Sequence, residues 1–168
     1  GVNTPIPDFK RSFAQIHTYY KWWFPAEVDG EYTNFVFSAH FKWGSYSSTP
    51  DVSGCGIGFG IKENGNHYAL FLDRENLVLA RGKGSRIYRM GVAGGERFPT
   101  IPIPAKADFV AAVWDQNVTV SVNGVIVYFI LASEQDAQGK FALSLLSGGN
   151  GGYGTRCEMS DVVFWTPK

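Results

Sequence analysis

The feature that most constrains this chain is its second half. Three apolar alternating runs follow one another there: VTVSVNGVIVYFI, then GKFALSLLSGG, then GTRCEMSDVVFW. A period of two puts alternate side chains on one face, as a half-buried strand requires. Asn123-Gly124 marks a tight hairpin turn, and Gly-rich segments separate the other runs. Strands joined this closely pair antiparallel, since a parallel pair needs a long crossover. This is the closing half of an antiparallel β-sandwich.

The first half carries the same pattern less evenly. Residues 1–10 hold two prolines and no period, and read as an extended lead-in. Residues 11–24 (RSFAQIHTYYKWWF) are dense in aromatics and are expected to form a first strand. From Asn34 to Trp43 the alternation is clean: Phe35, Phe37, Ala39, Phe41 and Trp43 share one face. Gly54–Ile61 puts Cys55, Ile57, Phe59 and Ile61 on one face and four glycines on the other. A strand face without side chains marks close approach, either by the protein's own aromatics or by a ligand over a groove floor. Turns at Glu63–Asn66 and Asp73–Asn76 make residues 54–82 a three-stranded meander. A short strand is expected at Arg86–Met90, and Pro102 and Pro104 forbid a central strand after it. The segment SEQDAQG is the one place where a helical turn is expected. About ten to thirteen short strands with no helix-length period predict a single all-β domain over residues 1–168, an antiparallel jelly-roll-like sandwich.

Composition narrows the partners. Fifteen basic against fifteen acidic residues leave no net field to attract nucleic acid. No run of about 18 apolar residues is present to span a membrane. The chain opens abruptly at GVNTPIP with no visible signal peptide, which suggests a domain excised from a larger protein. Cys55 and Cys157 have no neighbouring Cys or His at zinc spacing. They read either as two buried thiols or as a disulfide. The disulfide is preferred because it ties an early strand to the last one, and it implies an oxidising, extracellular or cell-surface setting. No cofactor is indicated, and nothing in the sequence marks a Ca2+ site.

The order GxGFxI, hairpin, HYxLxLD, VxVxVNG, GKFxLxLLSG and CEMSDVVFW resembles the concanavalin A-like lectin/glucanase superfamily. It is most similar to the laminin-G-like and 3-keto-glycoside-hydrolase-like (DUF1080-type) branches. The resemblance rests on Gly56–Phe59, Tyr68–Leu72, Val122–Gly124, Gly139–Leu143 and Met159–Phe164, and covers roughly residues 30–166. It implies two curved antiparallel sheets, with ligands held on the concave face or its rim loops. These motifs are structural, so they speak for the fold and little for an activity.

The glucanase E-x-D-x-E, the galectin H-x-N-P-R strand and a nucleophile elbow G-x-S-x-G are all missing. The chain therefore reads as a non-catalytic module that binds carbohydrate or glycoconjugate. The alternatives are a glycoside-processing enzyme of the 3-keto-hydrolase-like kind and an adhesive sandwich that meets another protein chain through a flat apolar patch. Candidate ligand contacts are Trp23, His67, Arg81, Tyr88, Trp114 and Tyr153. An exposed Trp or Tyr stacks on the apolar face of a sugar ring, while His and Arg bind its hydroxyls. Each has a plainer alternative. Trp22 and Trp23 point to opposite faces, so at most one is core; the plainer role of His67 is to close a strand end by a hydrogen bond, and that of Tyr153 is a strand connection. His40 is expected to partner Glu158 at the surface, Asn117-Val-Thr is a glycosylation sequon, and His17 is uninformative.

Overall fold

A computed structural model describes residues 1–13, 19–45, 53–147 and 154–168. The described residues form two antiparallel sheets packed face to face. The first sheet runs β1 (Val2–Ile6), β13 (Thr155–Thr166), β4 (Phe35–Gly44), β9 (Ala105–Trp114), β10 (Asn117–Val122), β11 (Val125–Ile130), and β2 (Phe9–Phe13) also pairs with β13. The second runs β3 (Tyr19–Trp23), β12 (Lys140–Ser147), β5 (Ser53–Ile61), β6 (His67–Leu72), β7 (Leu77–Lys83), β8 (Arg86–Ala93). The jelly-roll-like sandwich expected from the alternation is the observed fold.

The core lies where the alternation put it. Phe35, Phe37 and Phe41 of β4 are fully buried; Phe35 and Phe37 meet Phe141 of β12, and Phe41 stacks on Phe109 of β9 at 4.6 Å. Phe35 stacks on Phe164 with ring centroids 5.1 Å apart, and meets Phe59 and Phe141 edge-on at 5.7 and 5.5 Å. Edge-to-face and offset-stacked rings are the arrangements that the aromatic quadrupole favours. The inward parity of Cys55 and Cys157 brings their Cα atoms to 5.5 Å, and a disulfide joins β5 of one sheet to β13 of the other.

The structure also corrects the sequence reading. The lead-in is itself the edge strand β1, in register from Val2↔Thr166 to Ile6↔Val162. Pro5 is tolerated because an edge strand can leave one side of its backbone unpaired. Residues 11–24 do not make one strand: β2 joins the first sheet and β3 the second. SEQDAQG forms turns, and the described helical turns are short 3-10 segments at Ala26–Val28 and Gly95–Arg97. His40 bonds Asp108 at 2.8 Å, not Glu158, because its register neighbours are Asp108 on β9 and Ser160 on β13. In β13 the inward parity changes from Cys157 and Met159 to Val162 and Phe164. Asp161 (φ 51°) sits in a bulge there, and one extra residue switches the face.

Candidate functional site

The glycine face of β5 is the outer face of the second sheet, and the protein's own rings cover it. Register places Trp22, Ser144, Gly56, Phe71 and Val78 in one row across five strands. A Cβ on Gly58 would collide with the Trp22 ring, one on Gly56 with Phe71, and one on Gly82 with His67. The glycines thus let aromatic rings lie flat on the backbone. Tyr20 closes the cluster, 5.1 Å from Trp22, 5.0 Å from Phe71 and 5.6 Å from His67 between centroids.

His67 is 8% exposed and both of its ring nitrogens are engaged. Nδ1 lies 2.8 Å from the Gly65 carbonyl, which can only accept, so Nδ1 carries the proton. Nε2 then accepts from the Tyr20 hydroxyl at 2.6 Å. Burial lowers the His67 pKa, and burial pushes the Tyr20 hydroxyl up to about 12. Both groups stay neutral near pH 7, which makes the pair a structural latch. A lowered pKa means that the unfolded chain takes up a proton before the folded one does. Stability is therefore expected to fall as pH drops below about 6.5, the unperturbed histidine value. Thermal melts between pH 7.5 and 5 should show a steeper decline for the natural chain than for His67→Gln. Equal slopes would mean that His67 is not held neutral.

The other candidates do not converge on His67. Tyr68 pairs with Arg81 and His67 with Gly82, so Arg81 points to the opposite face. Its Nη1 donates to Glu134 at 2.7 Å and its Nε to Gln135 at 3.1 Å, clasping the β11–β12 connection. Tyr88 stands opposite Arg81 in register on edge strand β8, 44% exposed. Trp23 faces away from the glycines and packs edge-on against Phe9 at 5.5 Å, with Lys21 Nζ 5.8 Å from its ring. Of the tandem tryptophans, Trp22 is the one over the glycine floor. Tyr153 and His17 lie outside the described residues.

Trp114 stands on the other sheet, 49% exposed. Its side chain shares the outer face of β9–β10–β11 with Val110, Ile126, Tyr128 and Ile130. Rows Trp114–Asn117–Ile130 and Ala112–Thr119–Tyr128 cross this face. Strand spacing and rise put the Trp114 and Tyr128 Cα atoms about 12 Å apart. Asn117 and Thr119 supply polar groups between the two rings. Tyr128, 74% exposed, was hidden in the sequence because VIVYFI is apolar at both parities.

A separate cleft of about 220 Å³ opens at one end of the sandwich, lined in part by Lys42, Trp43, Arg74, Arg156 and Glu158. Among the described residues no group of three or more His, Cys, Asp or Glu could hold a metal ion. No described helix is long and apolar enough to cross a membrane.

No family model matches the sequence, and no curated protein matches it. Solved structures do. The carbohydrate binding module CBM66 from Bacillus subtilis superposes with a TM-score of 0.69 at 7% identity, over 98% of this chain and 95% of that one. The β-glucanase of Bacillus licheniformis gives 0.56 at 8% identity, over 83% and 69%. Sheep galectin-11 gives 0.52 at 11% identity, over 89% and 98%. The fold is the concanavalin A-like jelly roll. Identities this low carry the architecture alone. The narrower DUF1080-type branch of the concanavalin A-like group finds no family model here. Within the described part of this concanavalin A-like sandwich, the glycine face presents no carboxylate pair of the kind a retaining glycosidase uses.

Proposed function

We propose that the protein is a carbohydrate-binding module whose platform is the outer face of β9–β10–β11. The observation that carries this reading is the pair Trp114 and Tyr128. They are two exposed rings on one sheet face, with Asn117 and Thr119 between them. Sugar rings have an apolar face and polar edges, so they match an aromatic surface flanked by amide and hydroxyl groups. The Cα separation of about 12 Å exceeds one sugar unit, so the ligand is a chain. A strand scaffold holds both rings without a cost in loop ordering. The structural kinship with a carbohydrate-binding module agrees with this reading, and the Cys55–Cys157 bridge agrees with an extracellular setting.

Affinity electrophoresis through gels containing cellulose derivatives, xylan or β-1,3-glucan tests it. The natural chain should be retarded by at least one polysaccharide. Trp114→Ala and Tyr128→Ala should each weaken that binding about tenfold or more, as truncation of a central aromatic anchor does. Unretarded migration in every gel would overturn the proposal.

A second reading has its own observation. Ile126 and Ile130 are 56% and 72% exposed on the same face, and aliphatic side chains add nothing to sugar stacking. They favour a protein partner on this face, in line with the adhesive alternative. A concentration-dependent mass in light scattering, abolished by Ile130→Lys, would support that reading over the first.

A further inference from the structure

We propose that the cleft at the end of the sandwich is a second binding site, one that takes the carboxylate of an acidic monosaccharide unit. The sugar part of this assignment rests on the function proposed above. The carboxylate part stands on the cleft itself.

Three cations, Lys42, Arg74 and Arg156, line the cleft against one acid, Glu158. They come from distant parts of the chain: β4, the β6–β7 turn and β13. Glu158 stands in register between Lys10 of β2 and Lys42 of β4, and Lys42 stands beside Lys106 of β9. The acid is thus outnumbered along its own row. Among the described residues, the ion pairs are Lys62–Asp136 and Arg81–Glu134, and none of the cleft cations takes part in one. Arg74 is held at the rim by its Nε, which donates to the Ile101 carbonyl at 2.8 Å, and its terminal nitrogens are left for a ligand.

Trp43 supplies a reporter beside these cations. It lines the same cleft and is 5% exposed. Its indole Nε1 is buried and bonds to no protein acceptor. A buried N–H without an acceptor is uncommon in a folded protein and destabilising. Alternation puts the Trp43 ring on the inner face of β4 and Lys42 on the outer, so the indole reports on the cleft from behind it and is not itself a ligand contact. Guanidinium groups bind carboxylates through paired N–H donors, so Arg156 and Arg74 fit a carboxylate better than a neutral hydroxyl. The volume of about 220 Å³ lies below the usual range for drug-sized ligands, which suits one sugar ring.

The test is a titration of the 15N-labelled chain with D-glucuronate and, separately, D-glucose. The indole resonance of Trp43 is assigned by its loss in Trp43→Phe. Glucuronate should move that resonance saturably and glucose should not. Added salt should weaken the effect, as expected for a half-exposed charge contact. Arg156→Gln and Lys42→Gln are surface changes that leave the core intact. Each should raise the glucuronate dissociation constant about tenfold. Trp114→Ala should leave it unchanged, so failure of the platform and failure of the cleft are read separately. Equal responses to glucose and glucuronate would overturn the proposal, as would a Trp43 resonance that does not move or an unaltered constant in Arg156→Gln.

Discussion

Phe35→Ala is expected to lose about 3–5 kcal/mol of stability, the usual range for deleting a buried phenylalanine ring. Phe35 is 1% exposed and touches Phe59, Phe141 and Phe164, which belong to β5, β12 and β13. The ring therefore bridges both sheets, and its neighbours are large rings that cannot slide into the space it leaves. A domain is stable by only about 5–15 kcal/mol in total, so this one change would remove a large share. Urea unfolding should show a lower midpoint with the slope preserved. Phe35→Leu, which keeps most of the volume, should lose much less. A loss below about 1 kcal/mol in the alanine variant would mean that the aromatic cluster repacks freely, against the close packing of protein cores.

The second large effect concerns Cys55 and Cys157. Opening their bridge in a Cys55→Ala/Cys157→Ala chain is expected to cost about 2–4 kcal/mol. The bridge closes a loop with a sequence separation of 102, near the long end where the chain-entropy argument gives its greatest effect. Both sulfurs are fully buried between the sheets, so alanine also leaves a small void. The melting temperature should fall by roughly 5–15 °C, given about 2–4 °C per kcal/mol for a domain of this size. A natural chain that melts identically with and without reductant, while retaining the bridge in mass spectrometry, would show only that the bond resists reduction. The double variant decides the question, and an unchanged melting temperature there would refute the expectation.

Much of the fold was legible because it follows from period two alone. Phe35 to Trp43 alternates without interruption, and the structure buries the face the alternation names. The meander of residues 54–82 was likewise marked by its two turns. What escaped had a local geometric cause. A proline-bearing edge strand shows no alternation, so β1 passed for a lead-in. The bulge at Asp161 switches parity with no residue that announces it. The candidate site was less legible. Missing Cβ atoms at Gly56 and Gly58 signal close approach, yet they do not say whether a ligand or the protein's own ring fills the space. Choosing between Trp22 and Trp23 needs the register of β3 on β12, which no local pattern encodes. The end cleft draws on residues between Lys42 and Glu158 and was not foreseen from sequence at all.

The placement of β13 governs how such a chain can be assembled. Its neighbours are β4 along one side, and β2 then β1 along the other, all from the first 44 residues. During synthesis those early strands emerge with no partner between them, and they wait more than a hundred residues for it. β1, β2 and one side of β4 cannot be joined until residues 155–166 are free, so the first sheet should be completed only after its last strand is released. Contacts this distant in sequence also favour slow folding, on the millisecond-to-second scale of other all-β sandwiches. Until then β4 is an open edge of alternating phenylalanines, and the interval before β13 arrives is when the chain is most exposed to aggregation.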